Sequence, residues 1–112
     1  MSGCFRLDVG HRRLSVPEAE REVERTIKRL RGLPGPQVLK IVHGRGRGPT
    51  GGIIRAAVRE VLATMPDLLR VIPGERYGRF DPDTQEMRTA CGHFPDSDLD
   101  RGNEGITLVW VK

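Results

Sequence analysis

The run from residue 37 to residue 42 constrains the fold more than any other stretch of the sequence. It is short and nearly all apolar, with Val38, Leu39, Ile41 and Val42. Such a run predicts a central strand that is buried on both faces, as in sheets that helices cover. The sequence therefore indicates an α/β domain built around this strand.

Strand and helix patterns precede this run. Residues 5–9 alternate apolar and polar side chains, which predicts a half-buried strand. Residues 16–31 carry apolar side chains three and four positions apart, and the pair Ser15 and Glu18 has the spacing of a capping box. An amphipathic helix is therefore predicted from residue 16 to Gly32, which ends it.

The same patterns continue after the run. A second helix is predicted from residue 51 or 52 to residue 65, with Thr50 as its N-cap. Residues 69–72 and 105–111 predict two further strands. The order implies two βαβ crossovers with parallel pairing, and the last strand is expected to join antiparallel to its neighbour.

Residues 73–104 differ in kind from the rest, because Gly, Pro and Asp are frequent and no period is clear. They predict a long insertion or an irregular hairpin, in which residues 88–94 are the candidate strand. The predicted elements are four strands and two helices, in an α/β fold with a mixed sheet. The irregular insertion, at about residues 74–103, precedes the last strand, and residues 1–112 are expected to form one domain.

Charge is divided unequally along the chain. Residues 1–60 hold 13 Lys and Arg against 6 Asp and Glu, a net of +7, whereas residues 61–112 hold 6 against 9, a net of −3. The basic half is expected to face a polyanion, with an ordinary solvated surface as the alternative. Without a long apolar run or a secretion signal, and with only Cys4 and Cys91, which are read as free thiols, we expect a cytoplasmic protein that is not in a membrane.

A loop rich in glycine and arginine follows the central run directly. It consists of His43, Gly44, Arg45, Gly46, Arg47 and Gly48. Glycines let the backbone approach a ligand closely, arginines bind phosphate through a planar fork, and the following helix offers its free N–H groups. The loop has neither the Lys-Ser/Thr of a Walker loop nor the spacing of a dinucleotide fingerprint. It predicts a phosphate-facing loop, with a flexible turn as the alternative.

Asp8 and His11 follow the first strand and should lie at the same sheet edge as this loop. A hydrolytic mechanism would use Asp8 to hold a metal or to orient water, and His11 or His43 as general acid or base. Arg45 and Arg47 would then neutralise the phosphate in the transition state. In the alternative interpretation Asp8 caps a turn, His43 satisfies backbone groups of the loop, and His11 contacts phosphate.

Residues 43–48, placed after a buried strand, resemble the HGxGxG motif of the Smr, or small MutS-related, domain. Residues 7–9 resemble the start of that family's LDLHG motif, and residues 105–109 resemble its closing strand. The resemblance implies a βαβαββ two-layer sandwich, with two helices on a four-stranded mixed sheet, similar to the C-terminal domain of bacterial translation initiation factor 3. It also implies nucleic-acid binding, links to recombination and repair and, in several members, endonuclease cleavage of DNA or RNA with or without a metal, for which Mg²⁺ or Mn²⁺ is the candidate cofactor.

The first motif departs from the family pattern, because Gly10 stands where a histidine is expected and His11 follows one step late. His11, Arg12 or Arg13 would take over its role, and both arginines are candidate nucleic-acid contacts. The expected function is an endonuclease that nicks or cleaves structured or branched DNA or RNA. A non-catalytic nucleic-acid or ribosome-associated module is the alternative, and a protein-interaction domain that uses the acidic insertion is a third.

Two metal motifs are incomplete. Residues 96–100 begin like a calcium loop but lack its glycine and its final glutamate. Cys91 and His93 have no second ligand pair at zinc spacing. No metal ligands are therefore predicted in either segment.

Overall fold

A computed structural model of the chain describes residues 4–46 and 52–112. Its elements are β1 (Cys4–Asp8), α1 (Val16–Arg31), β2 (Val38–Val42), α2 (Ile53–Ala63), β3 (Arg70–Pro73), α3 (Pro82–Cys91) and β4 (Ile106–Trp110). Of the helices in these ranges, none has the length and apolar character needed to cross a bilayer.

The four strands form one mixed sheet in the order β1-β2-β4-β3. β1 and β2 are parallel, and β4 lies between β2 and β3, antiparallel to both. The α/β class, the parallel pairing of the first crossover and the antiparallel last strand are thereby confirmed. The parallel pairing predicted for the second crossover is wrong, because β4 lies between β2 and β3 and pairs with both. Asp8 is in register with Val42, and Val42 with Ile106, so the ends of β1 and β2 meet the beginning of β4 at one edge.

α1 begins where its capping box predicts. The Ser15 hydroxyl accepts a hydrogen bond from the Glu18 N–H at 3.3 Å, and the Glu18 carboxylate accepts one from the Ser15 N–H at 2.9 Å. Pro17 lies in the first turn, where its missing N–H breaks no helical bond. The apolar stripe of the helix is buried, as Val23 and Ile27 illustrate.

α2 starts later than predicted. Gly52 occupies the N-cap position in a left-handed conformation, with φ of 86°, and supplies no side-chain cap. The helix therefore begins at Ile53, and the prediction of an N-cap at Thr50 is wrong for this helix. Thr50 itself lies outside the described residues.

The irregular segment contains a third helix, so the predicted strand at residues 88–94 is wrong. The Asp81 carboxylate caps α3 by accepting from the Thr84 N–H at 2.9 Å, and Pro82 occupies the first turn. The buried positions of α3 are Thr84, Met87, Arg88 and Cys91. Their spacing of three, one and three is helical, but two of the four are polar, which conceals the pattern.

The sheet is covered on both faces. α1 and α2 pack with Leu39 and Ile41 on one side, while α3 and Tyr77 pack with Val38 and Val42 on the other. The predicted burial of β2 on both faces is correct. Two helices on one face of the sheet, as in the predicted sandwich, would leave the other face of β2 uncovered. α3 covers that face.

Candidate nucleic-acid interface

The edge at which β1 and β2 end opens into a cleft of about 740 Å³. Three segments contribute most of its walls: the turn after β1, the loop after β2 and the beginning of α2. The described residues that line it are Gly10, His11, Val42, His43, Gly44, Arg45, Gly46, Gly52, Ile53, Ile54, Asn103, Gly105 and Ile106. The predicted loop and the predicted turn thus share one cavity.

The turn after β1 is held tightly against the end of β2. The Val9 and Gly10 N–H groups both donate to the Val42 carbonyl, at 2.8 and 3.1 Å. A Cβ at Gly10 would lie 2.5 Å from the His43 carbonyl carbon and oxygen. The absence of a side chain at Gly10 therefore allows the two motifs to touch.

Asp8 organises this turn and orients His11. The Asp8 Oδ1 accepts from the Gly10 and His11 N–H groups at 2.9 and 3.0 Å, and the His11 Nδ1 lies 3.0 Å from the Asp8 Oδ2. Partial burial raises the pKa of Asp8, but the hydrogen bonds from the His11 backbone and ring and from Gly10 outweigh it, so that the pKa lies below its usual value. Asp8 thus caps a turn, as the alternative interpretation held, and also contacts an exposed histidine through one ring nitrogen.

His43, in contrast, is buried, with 4% of its surface exposed. Its Nδ1 lies 2.9 Å from the Gly44 carbonyl oxygen, and its Nε2 lies 2.9 Å from the Thr107 hydroxyl. Burial is the main cause that lowers the pKa of His43, and the nearby positive charges of Arg59 and Arg55 lower it further. The hydrogen bond to the Gly44 carbonyl raises the pKa but does not outweigh these effects. The ring is therefore neutral near pH 7 and both its nitrogens are engaged inside the protein.

The beginning of the loop is fixed by backbone contacts. The His43 and Gly44 N–H groups both donate to the Gly105 carbonyl at 3.0 Å. Gly44 and Gly46 have φ of 80° and 82°, a conformation that glycine adopts without strain. Arg45 lies between them and is exposed. Arg47 and Gly48, which the sequence predicts to bind the same ligand, lie outside the described residues.

The arginines that follow His11 do not line the cleft. The Arg12 guanidinium lies 2.7 Å from the Glu22 carboxylate on α1 and also donates to the Asp8 carbonyl at 3.3 Å. Arg13 is exposed and has a positive φ of 54°. Neither is among the described residues that line the cleft, so His11 is the side chain of this turn that the structure brings there.

Sequence reasoning missed the residues behind the loop. Thr107 on β4 is fully buried and accepts a hydrogen bond from the Arg59 Nε at 3.2 Å. Arg59 in turn holds Glu75 through two bonds, of 3.0 and 2.6 Å. A threonine within the apolar strand β4 was an available signal, because a buried hydroxyl needs partners. Its partners are 48 and 64 residues away in the chain and could not be identified locally.

The donor set does not fit a divalent cation held by the protein. Among the residues that the structure describes, no group of three His, Cys, Asp or Glu side chains could hold a metal ion. Asp8 is the acidic side chain of the turn, and both its oxygens already contact His11. In the acidic segment, Asp96 and Asp98 bind Lys40 at 2.5 and 2.7 Å, and Asp100 binds Arg79 at 2.6 Å.

Together these features define an α/β domain with a glycine-rich, arginine-bearing cleft at the carboxyl edge of its parallel strands. A model of the Smr domain family matches residues 9–78. The chain therefore belongs to the Smr domain family, whose members generally bind nucleic acid. The family match ends before α3 and does not include the closing strand at residues 105–109, on which the resemblance is also based.

A solved structure agrees on the fold. The crystal structure of the Smr domain of Thermus thermophilus MutS2 is similar to this chain with a TM-score of 0.56 and 21% sequence identity. The similarity covers 96% of this chain and 94% of that one. No curated protein matches the sequence.

Proposed function

We propose that the chain binds the phosphate backbone of structured DNA or RNA in this cleft and cleaves it as an endonuclease. The observation that carries the proposal is the contact between Asp8 and His11, which orients an exposed imidazole at the rim of the cleft that also contains Arg45. His11, the proposed acid–base group, and Arg45, the proposed phosphate contact, line the same cleft.

The binding part rests on charge and on free N–H groups. Arg45 is exposed beside the cleft, and α2 begins there at Ile53 without a side-chain cap, so that its first N–H groups and its positive dipole end are available to an anion. Contacts of this kind recognise phosphate and not base edges. Binding should therefore be largely independent of sequence and should weaken steeply with salt.

The cleavage part rests on His11. Its Nδ1 contacts Asp8, which leaves Nε2 on the opposite side of a ring whose side chain is 69% exposed. A carboxylate partner stabilises the imidazolium that forms when Nε2 accepts a proton from the attacking hydroxyl or water. The attacking oxygen bonds to phosphorus as the bond to the leaving oxygen breaks, and the leaving oxygen takes up a proton from water. Arg45 would stabilise the negative charge that develops on the phosphate. His43 acts in this proposal as a positioning residue for the loop, because neither of its nitrogens is free for proton transfer.

The experiment is a nuclease assay on linear, branched and single-stranded DNA and RNA. His11→Gln and Asp8→Asn are expected to lower the cleavage rate by about 10²-fold or more, with binding less affected. His93→Gln is the matched control, since His93 is exposed on the segment after α3. Cleavage by His11→Gln at the wild-type rate, after rigorous purification, would contradict the assignment.

Binding is tested separately by salt titration. Replacing Arg45 and Arg47 by alanine should reduce the slope of log K against log salt by about one for each phosphate that the protein no longer neutralises. The control is the pair Arg31→Ala and Arg101→Ala, which removes the same charge from exposed positions that do not line the cleft. Equal slopes for the two double variants would contradict the cleft as the binding site.

A non-catalytic binding module is the second candidate. The burial of His43 favours it, because both ring nitrogens of that residue are engaged inside the protein. Among the described residues that line the cleft, His11 is then the single histidine with a ring nitrogen free for proton transfer. Wild-type protein that binds these substrates but cleaves none of them, with or without added Mg²⁺ or Mn²⁺, would establish this candidate.

The third candidate, a protein-interaction domain with an acidic working surface, has less support. All eight acidic residues between residues 75 and 104 form ion pairs with basic side chains of the same chain. Their charge is therefore largely neutralised within the protein and does not form an open acidic surface.

A further inference from the structure

The hydrogen bonds behind the loop have a direction that the Gly44 carbonyl and Arg59 determine together. A guanidinium carries only donors, so the Thr107 oxygen must accept from the Arg59 Nε at 3.2 Å. The Gly44 carbonyl can only accept, so its 2.9 Å hydrogen bond takes its hydrogen from the His43 Nδ1. The Nε2 of the neutral ring therefore carries no hydrogen, and it accepts one from the Thr107 hydroxyl at 2.9 Å.

This chain of bonds, from Arg59 through Thr107 and His43 to Gly44, reaches the backbone of the loop. A peptide unit is planar and trans, so its C=O and N–H point in opposite directions. The Gly44 carbonyl faces the His43 ring, and the N–H of Arg45 is therefore turned away from that ring. One peptide of the cleft wall is thus linked by hydrogen bonds, through the His43 ring, to a hydroxyl in the core of the sheet.

Arg59 is itself fixed from the other side. Its two terminal nitrogens donate to the Glu75 carboxylate at 3.0 and 2.6 Å, and one of them also donates to the Ile106 carbonyl at 3.3 Å. The side-chain hydrogen bond from Arg59 is the largest cause that lowers the pKa of Glu75, so the carboxylate is ionised at neutral pH. A two-bond contact of this geometry restrains the guanidinium plane, and with it the direction of Nε.

We propose that Arg59 and Thr107 are positioning residues of the phosphate-binding loop, which hold His43 in the Nδ1–H tautomer and thereby fix the peptide between Gly44 and Arg45. The proposal rests on the proposed function for its effect on nucleic-acid binding. The tautomer and the peptide orientation, however, can be measured on the free protein.

The test combines ¹⁵N NMR of the His43 ring with nucleic-acid binding. In wild type, the ring nitrogens should show Nδ1 protonated and Nε2 unprotonated. Thr107→Val preserves the shape of the side chain but removes its hydroxyl. It should weaken this preference, shift the signal of Nε2, which loses its donor, and shift the Arg45 amide resonance. Loss of such a hydrogen bond should weaken binding to a branched DNA or a structured RNA by roughly three- to tenfold.

Two further variants separate positioning from folding. Thr107→Ser keeps the hydroxyl and should restore the tautomer and most of the binding, although it loses a buried methyl group. Thr26→Val changes a buried threonine of α1, away from the loop, and should leave both measurements at their wild-type values.

The outcomes distinguish the two proposals. A wild-type His43 protonated on Nε2, or a Thr107→Val protein with unchanged ring and Arg45 signals, would overturn the inference whether or not the protein binds nucleic acid. Wild type with the expected tautomer but without affinity for any nucleic acid would refute the proposed function alone. If Thr107→Val changes the ring and Arg45 signals and weakens binding, and Thr107→Ser reverses this, the positioning role is supported.

Discussion

Lys40 offers the sharpest test of how the acidic segment is joined to the sheet. It lies in the middle of β2, opposite Leu108 of β4, and its side chain is only 12% exposed. Its ammonium group contacts the Asp96 and Asp98 carboxylates at 2.5 and 2.7 Å. Lys40→Met would keep the length and apolar part of the side chain and remove the charge.

The loss of stability in Lys40→Met follows from the buried Asp96 carboxylate, which loses its charged partner. The Asp96 side chain is 4% exposed, and without Lys40 it keeps two neutral partners, the Asp98 N–H at 3.0 Å and the Tyr77 hydroxyl at 2.8 Å. Removing one member of a buried ion pair costs about 3–5 kcal/mol. Because two hydrogen bonds and the partial exposure of Asp98 moderate the loss, we expect about 3 kcal/mol, out of a total stability of roughly 5–15 kcal/mol.

Equilibrium unfolding in urea measures this change, and the melting temperature should fall by about 10 °C. Lys28→Met on the exposed side of α1 is the control and should change the free energy of unfolding by less than about 0.5 kcal/mol. A Lys40→Met, Asp96→Asn double variant should be less destabilised than the sum of the single variants by about 1–3 kcal/mol. A loss below about 1 kcal/mol for Lys40→Met, or additivity in the double variant, would refute the reasoning.

Three other predictions concern the cleft and its supports. Gly10→Ala places a Cβ 2.5 Å from the His43 backbone and should lower the free energy of unfolding in urea by about 1–3 kcal/mol. The control is Gly32→Ala, whose Cβ would have an ordinary 3.5 Å contact and which should be nearly neutral. Equal effects of the two substitutions would contradict the close approach at Gly10. The lowered pKa of His43 means that the unfolded chain binds a proton more readily than the folded one, so stability should be fully present above the ordinary value of 6.5 and decline as pH falls below it. His43→Asn should remove that part of the slope in unfolding measured between about pH 8 and pH 5, and a slope unchanged from wild type would exclude His43 as its source. Ser15→Ala should cost about 1 kcal/mol by urea unfolding through loss of the α1 cap while leaving the salt dependence of binding unchanged, and an altered salt slope would show that the cap affects the cleft.

Local signals explain which elements the sequence predicts. α1 can be located because Ser15 and Glu18 cap each other within four residues and the buried stripe is apolar. β2 can be recognised because a run buried on both faces is apolar at nearly every position. α3 escapes prediction because Thr84 and Arg88 occupy two of its four buried positions, although Asp81 followed by Pro82 is a helix-start signal.

Some features of the candidate site can likewise be predicted from local sequence, whereas others depend on residues far away in the chain. Asp8, His11 and His43 are predicted at one edge correctly, because residues that end parallel strands meet there. The different environments of the two histidines could not be predicted, since the burial of His43 depends on Thr107 and Arg59 and not on its neighbours in sequence. Nor does the sequence show that Arg12 binds Glu22 instead of facing the cleft.

The acidic segment is better described as a layer of the core than as an insertion. Its helix covers the face of β2 that α1 and α2 leave open, and Asp96 and Asp98 compensate the charge of Lys40 beneath it. Without it, Val38 and Val42 would lose their cover and Lys40 its partners. Acidic charge that neutralises the protein's own lysine and arginines exerts little net repulsion on a nucleic acid, because paired charges cancel at distance. The opposite charges of the two halves of the sequence are therefore compatible with the proposed binding of phosphate in the cleft.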